Sequence, residues 1–221
     1  MTIDIFDFWS KIGPSAKIHP NDREVFQRFG KKHGFDHQCL PHSFAGPLRK
    51  AKIVLLYLSP GLDDFDLEEA KTQKGRKRMM ENRSGNQELP GPDEHKPAWR
   101  WWKSRTKDFG NWEELRSKVA VLNIGAYHSK QFDDYPLLAA LPSSRVSLEW
   151  AQTVLFPQAE AGDRVVICLR AAHFWGLDEG SDGKQYGKSL FAPRVTRGGH
   201  MMNKPLKNKI IKAVEAILTK C

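Results

Sequence analysis

Three near-continuous apolar runs constrain this chain more than any other feature. Residues 52–58 read Lys-Ile-Val-Leu-Leu-Tyr-Leu and stop at Ser59-Pro60-Gly61. Residues 118–124 read Lys-Val-Ala-Val-Leu-Asn-Ile and stop at Gly125, and residues 164–169 read Arg-Val-Val-Ile-Cys-Leu and stop at Arg170. None alternates apolar with polar, as a strand with one wet face does. An unbroken apolar strand needs cover on both faces, the condition of a parallel sheet between layers of helix. A weaker fourth strand is expected within residues 189–193. Helical patterns fall between the runs. One begins at Leu62-Asp63-Asp64, with Asp63 or Asp64 as its cap, and continues through Ala70. A second places Val146, Trp150 and Val154 at helical spacing. The last has Asn203 as cap, Pro205 in its first turn, and Leu206, Ile210, Val214 and Ile217 on one face. The expected fold is therefore α/β: a three-layer α/β/α domain over 1–221 with a mainly parallel four-stranded central sheet. Residues 1–48 are expected as a helical extension packed on it. Residues 75–97, polar and rich in Gly and Pro, are expected to form a long surface loop.

Charge narrows the partners. Lys and Arg number 35 against 26 Asp and Glu, a net +9, so an anionic partner is expected and nucleic acid is the commonest. No apolar run approaches the roughly 20 residues of a membrane span, so no membrane partner is expected. Three scattered cysteines (Cys39, Cys168 and Cys221) and no visible secretory signal suit a reducing, cytoplasmic setting. No His/Cys spacing suggests a metal site, and no cofactor motif is present.

In open α/β sheets, ligands collect where the strands end at their carboxyl termini. Three loops follow strands here: Tyr57-Leu58-Ser59-Pro60-Gly61 with Asp63 and Asp64 beyond it, Asn123-Ile124-Gly125-Ala126-Tyr127-His128, and Arg197-Gly198-Gly199-His200 ahead of the last helix. Two basic sets flank them. Arg76, Lys77 and Arg78 lie in one, and Arg197 and Lys204 in the other, as candidate phosphate contacts. Trp99, Trp101 and Trp102 sit among Arg100, Lys103, Arg105 and Lys107. Such interleaving suits stacking on unpaired bases, although at least one of the three is expected in the core.

This constellation resembles the uracil-DNA glycosylase superfamily over about residues 50–215. The first motif of that family, Gly-x-Asp-Pro-Tyr or Gly-x-Asn-Pro-Gly, corresponds to Tyr57-Leu58-Ser59-Pro60-Gly61. Its base-reading Asn near the end of the second strand corresponds to Asn123. Its His-containing loop before the last helix corresponds to Arg197-Gly198-Gly199-His200. The resemblance implies metal-free hydrolysis of the N-glycosidic bond of an extruded uracil-like or damaged base. It gives base reading to Asn123 and a charge-stabilising role to His200. Ser59 stands where the family carries an acid or an Asn, and Tyr57 stands where it carries Gly. Asp63 or Asp64 then supplies the carboxylate, or else merely caps a helix. Tyr57, Ser59, Pro60, Gly61, Asn123, Tyr127 and His128 are the expected substrate-binding residues. A non-catalytic nucleic-acid-binding module on the same fold is the alternative that Ser59 leaves open.

Overall fold

The computed structural model describes residues 3–30, 32–202 and 204–220, with all their side chains except that of Lys204. The three apolar runs form β2 (Ile53–Tyr57), β3 (Val119–Asn123) and β4 (Val165–Cys168). The weaker fourth is β6 (Leu190–Ala192). These four lie parallel in the order β3-β2-β4-β6. The sheet is larger than expected. β1 (Phe44–Ala45) adds antiparallel to β3, and β5 (Lys184–Tyr186) adds antiparallel to β6. The sheet is thus six-stranded and mixed, not mainly parallel and four-stranded. The two extra strands are two and three residues long, too short to carry a period in sequence. Hydrogen bonding to an open sheet edge forms them, not propensity.

Alternation along the parallel strands explains why the runs are apolar throughout. Val54, Leu56, Ala120, Leu122, Val166 and Cys168 face one side. There they meet α1 (Ile5–Ser10), α8 (Pro142–Trp150), a π-helical turn over 151–155 and α9 (Phe156–Ala161). Ile53, Leu55, Val119, Val121, Val165 and Ile167 face the other, against α6 (Trp112–Leu115) and α10 (Lys204–Leu218). Helices therefore cover both faces of the sheet. α1 puts Ile5, Phe6, Phe8 and Trp9 into the first core, so the N-terminal segment is part of the fold's interior. A separate aromatic cluster joins α2 (Arg23–Phe29) to α7 (Tyr135–Ala140) through Phe26, Phe35, Tyr127 and Leu137.

The helix expected after β2 is α3 (Asp64–Lys71). Asp63 caps it through a reciprocal box, with the Asp66 N–H on Asp63 Oδ1 and the Asp63 N–H on Asp66 Oδ2. Much of the expected loop is helix instead: α4 (Gln73–Asn82) and the start of α5 (Lys96–Arg105). Thr72 caps α4 by accepting the Gly75 N–H, and Arg76 donates to the open carbonyls of Ala70 and Lys71 at the end of α3. Gly75 permits this tight junction, because a Cβ there would lie 2.3 Å from the Glu69 carbonyl oxygen. The proposed cap Asn203 lies outside the described residues. Among the described residues, no helix is long and apolar enough to cross a membrane.

Candidate functional site

Parallel pairing of β2 with β3 sets Tyr57 opposite Asn123 at the carboxyl end of the sheet. Between them and helices α3, α4 and α5 lies a pocket of about 350 Å³. Ser59, Pro60, Gly61, Asn123 and His128 line it, together with His42, Asp66, His95, Arg78, Trp101 and Trp102. Asn123 is 4% exposed. Its side-chain Nδ2 donates to the His42 carbonyl at 3.3 Å, and its backbone N–H donates to Ser43 at 2.7 Å. Among the described residues its carboxamide oxygen accepts no hydrogen bond, so one donor–acceptor edge remains for a ligand.

His128 is the most constrained polar side chain of the pocket. Its Nδ1 lies 2.7 Å from the Gly61 carbonyl. A carbonyl only accepts, so Nδ1 carries the proton and Nε2 of the neutral ring is a bare acceptor. That Nε2 is buried with no hydrogen-bond partner among the described residues. Leaving it unmet costs about 1–3 kcal/mol, a cost a ligand or water donor would remove. Burial pushes the His128 pKa below its usual value, against the opposing pull of Asp66. Burial, with His128 next, brings His42 down to about 3.

Asp66 is the carboxylate of the pocket. Burial alone would raise its pKa, but the His95 hydrogen bond and the Asp63 N–H outweigh that and hold it low. His95 Nδ1 accepts the Ala98 N–H at 3.1 Å, which caps α5 and leaves Nε2 as the donor. Nε2 stands 3.4 Å from Asp66 Oδ1 and 3.3 Å from Glu69 Oε2. Arg78 pairs with Glu69 to complete the wall. Tyr57 stacks edge-on against Trp102 at 5.6 Å. Burial raises its phenol pKa, while Arg105 and Arg170 act on it in the opposite sense.

Several expected residues take other places. Asp63 lines the pocket but its side chain is committed to the α3 cap. The Asp64 side chain is 94% exposed and reaches only Lys130, outside the pocket. Tyr127 is a core anchor: its hydroxyl donates to Asp22 and accepts the His19 N–H, deep in the N-terminal cluster. His200 does not line the pocket. The Val195–Met201 bridge and two Thr196–His200 bonds close its loop into a tight hairpin beside Arg105. The hairpin reaches the site at Tyr57, whose ring lies 3.5 Å from where a Cβ on Gly199 would stand, and Arg105 donates to the Gly198 carbonyl. Arg76 is spent on capping α3, Lys77 is exposed near Glu81, and Arg78 is held in the pocket wall. Arg197 is exposed, and the Lys204 side chain lies outside the description. Sequence reading missed His42, Asp66 and His95. The one usable signal was Asp66 at the third helical position after a capping Asp. Among the described residues, no three His, Cys, Asp or Glu side chains are grouped to hold a metal ion.

Two expectations arise here. Gly61 faces open space, and a Cβ there meets nothing within 4 Å. Gly61→Leu is expected to leave stability within about 0.5 kcal/mol and to obstruct the pocket. Unchanged melting with unchanged ligand binding would contradict the assignment of the pocket. The second concerns acid. His42 and His128 hold folded-state pKa values below 6.5, so the unfolded chain takes up their protons first as pH falls. Stability is then complete above about pH 6.5 and falls below it, by up to about 1.4 kcal/mol per pH unit for each histidine. Urea unfolding at pH 7 and pH 5 tests this; equal stabilities would contradict it.

Comparison with protein families, with curated proteins and with solved structures finds no match to this chain.

Proposed function

We propose that the pocket takes a base extruded from nucleic acid and that the protein hydrolyses the N-glycosidic bond of that base. The finer reading of the fold as uracil-DNA glycosylase-like belongs to the same proposal, resting on the order of its motifs along the chain. The observation that carries it is the pairing, in one pocket, of the free amide edge of Asn123 with the bare Nε2 of His128. The size suits a heterocycle, which would lie against Tyr57 and Trp102.

The chemistry follows from these groups. Asn123 offers one acceptor and one donor to the edge of the base, which orients it. As the C1′–N bond breaks, its electron pair passes to the base and positive charge grows on the sugar. Arg105 and Arg170, near Tyr57, favour the anion. Water adds through oxygen to C1′ and gives one proton to His128 Nε2, which then passes it to the departed base anion. Ionised Asp66 stabilises both the imidazolium and the sugar cation. Asp66 thus supplies the carboxylate expected of Asp63 or Asp64, His128 activates the water, and the charge-stabilising work expected of His200 falls to Arg105 and Arg170.

Ser59, in the place of an acid, favours a second reading, a pocket that holds the base without releasing it. Oligonucleotides bearing uracil, hypoxanthine, xanthine, or G·U and G·T mismatches separate the two. After incubation in chelator and alkali treatment, strand cleavage at the modified position is expected. Binding without cleavage favours the second reading, and neither overturns both.

A further inference from the structure

We propose that α5 is a ledge for single-stranded nucleic acid, on which a base next to the one in the pocket stacks against Trp101. This rests on the base-release reading for the pocket but not for the ledge itself. Residues 96–107 read Lys-Pro-Ala-Trp-Arg-Trp-Trp-Lys-Ser-Arg-Thr-Lys, with five cations and no acid. Among the described residues, Lys96, Arg100, Lys103, Arg105 and Lys107 form no ion pair. The acids nearest in the chain are mostly spent: Glu88 and Glu94 pair with Arg116, and Asp108 pairs with Lys207. Asp93 alone is exposed and unpaired ahead of the helix.

The three tryptophans divide the work. Trp99 and Trp102 are half-buried and pack against the core that covers the second sheet face. They fix the helix, although none of its residues is fully buried. Trp101 is 39% exposed and lines the pocket. The Arg105 guanidinium lies 3.6 Å over its ring, and Trp102 stands edge-on at 89°. Arg105 in turn donates to the Gly198 carbonyl, which holds the pair rigid. An indole stiffened in this way, at a pocket mouth and among unpaired cations, meets the requirements for base stacking beside a phosphate backbone. Bases in a duplex have both faces covered already, so the ledge selects unpaired strands.

Fluorescence anisotropy with unmodified 12-nucleotide single strands, as DNA and as RNA, and with duplex DNA tests this. Single strands of either sugar are expected to bind at least about tenfold more tightly than duplex. Trp101→Ala is expected to weaken single-strand binding by about 5- to 150-fold, the range that stacking gives on truncation, and to leave duplex binding unchanged. Trp101→Phe is expected to retain most of the affinity. Arg100→Glu combined with Lys103→Glu is expected to flatten the salt dependence. The Gly61→Leu variant is expected to keep ledge binding, which separates the ledge from the pocket. Equal binding of single strands and duplex, or single-strand binding unmoved by Trp101→Ala, overturns the proposal. Trp101-dependent binding without base release leaves the ledge standing and removes the chemistry.

Discussion

His128→Asn is expected to slow base release by about 10²- to 10⁴-fold at neutral pH, the usual worth of a positioned general base. The substitution is chosen for its geometry. The Asn Nδ2 sits close to where His Nδ1 sits, so the donor to the Gly61 carbonyl, now 2.7 Å away, is retained. Only the bare Nε2 is lost. The variant should therefore fold, and its melting temperature should stay close to that of the parent. His128→Gln does the reverse: it restores an amide near Nε2 and gives up the Gly61 contact. If Nε2 orients water, Asn is the more damaging change to the rate and Gln the more damaging change to stability. A pH profile adds a readout that packing alone would not move. With the His128 pKa held below 6.5 by burial, the parent rate should stay flat above about pH 6.5 and fall under acid. An Asn variant with the parent's rate and profile would show that His128 only closes the loop.

Asn123→Ala is expected to give the second large effect. A good two-point contact with a base edge is worth about 1–3 kcal/mol, or about 5- to 150-fold in rate against the preferred base. Discrimination among bases should collapse along with the rate, because the amide edge is what reads them. The structural cost should be small. The side chain makes one bond within the protein, at 3.3 Å to the His42 carbonyl, while the backbone bond to Ser43 survives the change. Single-turnover rates on two different bases measure both effects. A uniform loss across bases would mean that Asn123 supports the pocket without reading the ligand.

How much of this was legible in the sequence varies by element. The parallel strands were, because burial on both faces writes an unbroken apolar run. Asn123 and the Ser59–Gly61 turn were legible too, because a ligand site at strand ends is a rule of open α/β sheets. The polar helix α4 was not. It contributes only Gly75 and Met79 to the buried surface, and its stability comes from capping by Thr72 and from Arg76 on the carbonyls of α3. Nor was the polar wall of the pocket. His42, Asp66 and His95 come from three separate segments, and nothing local marks His95 as a helix cap and carboxylate partner at once. His200 misled for the opposite reason. A His between glycines and a helix looks poised for a ligand, but the Val195–Met201 bridge closes its loop into a hairpin, and His200 does not line the pocket.

Detection of the free base decides whether the pocket hydrolyses the glycosidic bond. The parent protein and His128→Asn would be incubated with single-stranded oligonucleotides carrying each candidate base, and the released base would be identified by mass spectrometry. One released base is expected, with an oligonucleotide lighter by that base and heavier by one water, whose hydroxyl stays at C1′, and a His128→Asn rate lower by at least about 100-fold. No base released from any oligonucleotide, or release at equal rates by both proteins, would contradict the proposed hydrolysis.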